Sequence, residues 1–107
     1  MQYKLIVTEK AEGQLEHILE YLVKHLCVPE SARKLLKEIE AIYDYLEETP
    51  TIYALCKDPF LASRGYRKAT VKHFAYTIIY KIDELRKQVY ILGIFHELEN
   101  YNEKLFQ

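Results

Sequence analysis

The chain has 107 residues, of which 50% are apolar or aromatic and 29% charged, and its formal net charge is -1. That is the composition of one ordinary globular domain, spanning residues 1–107, with enough chain for a modest core without metal or disulfide help. Three Gly and three Pro exclude collagen-like and linker-like chains, and no uncharged apolar run approaches the roughly 20 residues of a membrane span.

Residues 3–7, Tyr-Lys-Leu-Ile-Val, are β-branched and aromatic and too short for a helix, so they predict a strand. Thr8 is a candidate N-cap, with Glu9 well placed in the first turn that follows. Ala11, Leu15, Ile18, Leu19, Leu22 and Leu26 then recur at helical spacing. Pro29 restarts the chain as a first-turn residue. Ala32, Leu35, Leu36, Ile39, Ile42, Tyr43 and Leu46 mark a second apolar stripe, which Thr49-Pro50 stops. The short link between the two predicts an antiparallel helical hairpin.

After Pro50 the period changes. Residues 51–64 show no clean pattern, contain Asp58-Pro59, and read as a loop. A strand is predicted over residues 66–71, a turn at Lys72-His73, and a strongly alternating strand over residues 74–82. Residues 83–87 form a charged turn. Residues 89–96 form the last strand, with Tyr90, Leu92, Ile94 and His96 on one face. The tail, residues 97–107, is polar and acidic, with Tyr101, Leu105 and Phe106 as candidate anchors. The order β-α-α-β-β-β predicts an α+β fold: a three-strand antiparallel meander with the helical hairpin over one face.

Charge is unevenly spread. Residues 57–87 hold eight basic side chains against three acidic ones, whereas residues 1–56 hold six against ten. The basic segment is either an anion-facing surface or an ordinary solvated set of strand edges and turns. No phosphate-binding loop, dinucleotide fingerprint, HExxH or GxSxG motif is present. His17, His25, His73 and His96 lack metal-site spacing. His96-Glu97-Leu98-Glu99 reads first as a strand-end histidine followed by a solvated acidic run, and only second as a ligand set. No metal and no cofactor are expected.

Cys27 and Cys56 have no CxxC spacing and are expected to be free thiols; the start of the chain has no apolar leader, so a cytoplasmic location is expected. Cys27, near His25 at a helix end, is either a reactive thiol or a buried, inert side chain, the second being the better reading. Most of the ten tyrosines fall at periodic apolar positions and are expected in the core. His96 has a side chain suited to proton transfer near neutral pH. Arg64, Arg67, Lys72 and His73 would bind phosphate beside it if the strands bring them to one region. Arg67 and Lys68 are neighbours on a strand, so only one of them faces a given surface.

The meander carries a resemblance. It reads Gly65-Tyr66-Arg67-Lys68, then residues 76–83 as Tyr-Thr-Ile-Ile-Tyr-Lys-Ile-Asp, then residues 89–96 as Val-Tyr-Ile-Leu-Gly-Ile-Phe-His. With the preceding strand and helical hairpin, this resembles the RelE/ParE superfamily of bacterial toxins over about residues 3–101, closer to the ParE and plasmid-stabilisation branch. The resemblance implies the toxin half of a type II toxin–antitoxin module, neutralised by a small cognate antitoxin in a hetero-oligomer, with dimerisation also possible in this family.

It also implies one of two actions. ParE-like members poison DNA gyrase, and RelE-like members cut mRNA on the ribosome without a metal. The RelE pattern has a second basic residue after Arg67 on the strand and an Arg after the tyrosine of the next. Here Ala69 and Thr77 stand there, and Glu97 follows His96. These departures favour the ParE-like action. The alternatives are a RelE-like nuclease and an inactive relative that only pairs with an antitoxin. For a nuclease, His96 and Arg67 would be catalytic. Arg64, Lys68, Lys72, His73 and Glu97 complete the candidate target-binding or phosphate-binding set.

Overall fold

The computed structural model describes residues 2–97. The predicted anchors Tyr101, Leu105 and Phe106 lie outside the described residues. Strand β1 (Lys4–Val7) leads into helix α1 (Glu9–Glu20). Thr8 caps α1 as expected: its Oγ1 accepts from the Ala11 N–H at 3.3 Å and donates to the Ile91 carbonyl at 2.7 Å. The helix continues as a wider π-helical turn, Tyr21–His25, and Cys27 breaks it with φ at 54°. Cys27 is exposed, which corrects its expected burial. The left-handed link throws it outward, past the end of the buried helical face.

Helix α2 (Pro29–Glu48) buries Ala32, Leu35, Ile39, Ile42 and Leu46, the predicted stripe. Each fully buried Leu or Ile there contributes about 1.5–3 kcal/mol relative to exposure. The residues read as a loop contain a short helix, α3 (Pro59–Ser63). Asp58 nucleates it, its Oδ1 accepting from the Phe60 and Leu61 N–H groups at 2.9 and 3.1 Å. Gly65, at φ 78°, turns the chain out of α3 into the sheet.

Strands β2 (Arg67–Val71), β3 (Tyr76–Asp83) and β4 (Gln88–His96) form the expected antiparallel meander. β1 adds to the far side of β4 in parallel, giving a mixed sheet of order β1-β4-β3-β2. The main core lies between this sheet and the α1–α2 hairpin, and contains Leu35, Ile39, Ile78, Tyr80, Val89, Ile91 and Ile94.

Two features were not in the sequence pattern. A bulge falls where Ile79 pairs Gly93 but Tyr80 pairs Ile91, leaving Leu92 as the extra residue. The bulge shifts the phase of β4. Val89 and Ile91 face the helices before it, and Ile94 and His96 after it. Tyr90 and Leu92 therefore lie on the opposite face, which corrects the expectation that they share a face with His96. The Ile94 N–H, beside the bulge, is satisfied by Gln14 Oε1 of α1 at 2.9 Å. The second feature is a small core on the opposite face, where Cys56 and Leu61 pack on Ile79 and Phe95.

The tyrosines divide. Tyr80 is fully buried, and Tyr3, Tyr43, Tyr53 and Tyr76 pack partly against the main core, but Tyr21 and Tyr45 are exposed. The Tyr80 hydroxyl donates to the Pro50 carbonyl at 2.7 Å. Burial pushes its pKa up to about 12, although the Arg67 guanidinium pulls it down. A raised tyrosine pKa means the folded state holds its proton more tightly than the unfolded chain. The resulting stability is complete below pH 10 and lost as pH rises toward 12. Tyr80→Phe is expected to cost about 1–2 kcal/mol at neutral pH, because the Pro50 carbonyl loses its donor. It should also flatten the alkaline limb of a chemical-denaturation series, and an unchanged limb would assign that limb to other groups.

Candidate functional site

The structure divides the candidate residues between two places. His96 ends β4 and pairs in register with Tyr76, their rings edge to face at 5.4 Å and 87°. The Glu97 N–H continues the ladder to the Ala75 carbonyl at 2.8 Å. Lys72 and His73 occupy the β2–β3 turn at this same end, both exposed, with His73 at φ 70°. His96, Glu97, Lys72 and His73 thus share one end of the sheet.

Arg67 and Lys68 stand toward the other end of β2, and Arg64 caps α3. Val71 pairs Tyr76, which pairs His96. Arg67 is four residues back from Val71 and two strands across from β4, so its backbone lies about 16 Å from that of His96. Its side chain is also engaged. The guanidinium Nη1 donates to the Tyr53 carbonyl at 2.7 Å, beside the Tyr53–Tyr80 ring pair. Arg67 therefore fastens Tyr53 to the sheet, as the Tyr80 hydroxyl fastens Pro50. This corrects the expectation that Arg64, Arg67, Lys72 and His73 line one region with His96.

Lys68 sits on the face opposite Arg67, as alternation requires, close enough to Cys56 to draw its thiol pKa down. Burial outweighs this and pushes the Cys56 thiol up, so it is a poor nucleophile at neutral pH. Arg64 lies over the Phe60 ring at 5.1 Å. On the same sheet face as Lys68, Lys81 lies over Tyr90 at 5.6 Å. Among the described residues no group of three or more His, Cys, Asp or Glu is arranged to hold a metal, and no helix is long and apolar enough to cross a membrane.

Sequence reasoning passed over Lys34, Lys37 and Glu38. They line a groove of about 490 Å³ between α2 and the β2–β3 turn, together with His73 and Phe74. On a helix they read as a solvated face. Only the packing of α2 beside β2 brings them to a groove.

A family model described as the ParE toxin of the type II toxin–antitoxin system parDE matches residues 5–101. The chain belongs to the ParE toxin family. Several solved structures share the fold of this ParE-family toxin. The chromosomal ParDE system of P. aeruginosa contains a chain with TM-score 0.69 and 23% identity, covering 89% of this chain and 96% of that one. A chain in the RelBE2 toxin–antitoxin complex of Mycobacterium tuberculosis gives TM-score 0.62 at 23% identity, with 90% and 99% covered. A mutant of the E. coli toxin RelE in the free state gives 0.67 at 13% identity, with 97% and 93% covered. No curated protein matches the ParE-family toxin by sequence. The α+β sheet and helical hairpin are thus shared with these chains from ParDE and RelBE systems and with RelE.

Proposed function

We propose that this toxin arrests growth in the cytoplasm by a ParE-like, non-enzymatic action on DNA gyrase, and that a cognate antitoxin neutralises it by direct binding. The observation that carries the choice of target is the engagement of Arg67 with the Tyr53 carbonyl. Cutting RNA through its 2′-OH calls for a proton-transfer group and a cation at the same phosphate. His96 and Arg67 stand about 16 Å apart along the sheet, and Arg67 already serves the fold. Ala69 and Thr77 fill the positions where further cations would serve a nuclease.

The second reading is a ribosome-dependent endonuclease. It draws on His96, Glu97, Lys72 and His73, which share one end of the sheet. Inducible expression separates these readings. The expected result is growth arrest, relieved by the adjacent reading frame and retained in His96→Ala. Purified toxin should inhibit gyrase supercoiling and leave ribosome-bound mRNA intact. Ribosome-dependent cleavage abolished by His96→Ala would replace the gyrase reading with the nuclease. Absence of arrest would make the chain an inactive relative.

A further inference from the structure

Two grooves adjoin beside α2, and one carboxylate belongs to both. The first, of about 450 Å³, is walled by Ala41, Ile42, Tyr45, Tyr53 and Thr70, with Lys72 beside them. The second, of about 490 Å³, is the groove at Lys34, Lys37, His73 and Phe74. Glu38 lines both. Each volume is within the range of small-molecule sites.

Glu38 Oε2 is buried and has no hydrogen-bond partner among the described residues. A buried acceptor left unpaired is costly, and a carboxylate is satisfied only by donors. The lysines of the two grooves do not supply one. Lys34, Lys37 and Lys72 are exposed and make no ion pair among the described residues. An acceptor therefore lies on the floor, and three cations stand at the rim.

The wall between floor and rim is aromatic. Tyr45 is 59% exposed, and a long side chain on a helix leans toward the N-terminus, here toward Glu38. Tyr53 is held in place. Its carbonyl accepts from Arg67, and its ring meets Tyr80 edge to face at 6.5 Å.

A ligand that answers all three features has a flat ring system, adjacent donors on one edge, and a multiply charged anionic group. Among the common bases only guanine presents two donors side by side, N1–H and the N2 amino group. Adenine, cytosine and uracil set an acceptor next to each donor, which a carboxylate repels.

We propose that this site binds a guanine nucleotide. The base enters edge first, its N1–H and N2 amino group donating to the Glu38 carboxylate. Tyr45 and Tyr53 lie against the ring, and the phosphates stay at the rim on Lys34, Lys37 and Lys72. The site goes beyond the growth-arrest reading and rests on neither choice of cellular target.

The test is calorimetric titration of the full chain with guanosine triphosphate. Saturable binding is expected, at least tenfold tighter than for the adenosine and uridine triphosphates. Inosine triphosphate, which lacks the N2 amino group, should bind about tenfold more weakly, and guanosine monophosphate should also be weaker than the triphosphate. Glu38→Gln should abolish the preference for guanine over adenine while leaving phosphate-dependent binding. Lys37→Ala/Lys72→Ala, which changes two exposed side chains, should bring the triphosphate down to the monophosphate's affinity. Lys4→Ala, on the far edge of the sheet, should bind as the unmodified chain does.

No saturation at about 1 mM guanosine triphosphate would overturn the proposal. So would equal affinity for adenosine triphosphate, undiminished selectivity in Glu38→Gln, or tighter binding of a guanine-free single-stranded oligonucleotide. The inosine comparison uses the unmodified chain, so it decides the role of the base edge even if a variant misfolds.

Discussion

Phe95→Ala is expected to lower stability by about 3–5 kcal/mol, the range for truncating a buried aromatic ring. Phe95 is fully buried and packs with Cys56, Leu61 and Ile79 on the sheet face away from the helical hairpin. The ring is what the segment around α3 closes upon. Without it Leu61 and Cys56 lose their wall, and the edge pairing of residues 54–56 with β2 loses its backing. Urea unfolding measures the loss, and limited proteolysis locates it. Cleavage should rise between residues 52 and 66 before it rises in α1 or α2. A loss under about 1 kcal/mol would show that this second core contributes little beyond the area it buries.

Gly93→Ala is expected to cost about 2–3 kcal/mol, although it adds a single methyl group. The new Cβ would lie 2.5 Å from Phe95 Cε2 and 2.7 Å from Cζ, with Gln14 Oε1 at 3.0 Å. Phe95 is fully buried among its neighbours, and Gln14 is held by its bond to the Ile94 N–H. Either the ring shifts or the bulge does. Combining Gly93→Ala with Phe95→Leu distinguishes this from a backbone effect. The smaller side chain should make the pair clearly less damaging than the two changes added together. Strict additivity would place the cost in the backbone of the bulge instead.

Much of the architecture is legible in the residues. The stripe from Ala32 to Leu46 on α2, the Thr8 cap and the alternation through β3 each follow from a single local rule, and the structure keeps all three. The bulge is different. It goes with Gly93 sitting over Phe95, two residues on, and with Gln14 reaching from α1 to the Ile94 N–H, a contact 80 residues apart in sequence that no local period encodes. Without it the face of His96 is assigned correctly relative to Ile94 but wrongly relative to Tyr90 and Leu92.

α3 was within reach, since Asp58-Pro59 is a helix-start signal as well as a turn signal. Its five residues are too few to show a period. Arg67 illustrates the limit at the candidate site. Its charge and its strand position are plain in the sequence. Its use as a structural donor requires knowing where the Tyr53 carbonyl comes to rest. The unpaired Lys34, Lys37 and Glu38 were hidden for a similar reason, since a helical face becomes a groove wall only when a strand edge packs beside it.

The parallel pairing of β1 with β4 joins the two ends of the described chain, with Lys4 opposite Gln88 and Val7 opposite Ile91. Helical hairpins assemble from neighbouring residues, but this contact closes a loop of more than eighty. During synthesis β1 is made before β4 and has no partner in the sheet until β4 has left the ribosome. β4 lies between β1 and β3, so the sheet has no centre before then. A nascent or prematurely terminated chain ending before Gln88 therefore cannot form this sheet. For a chain of this toxin family, the folded sheet is thus deferred until β4 is made, and products truncated before β4 are expected to be inactive and readily degraded.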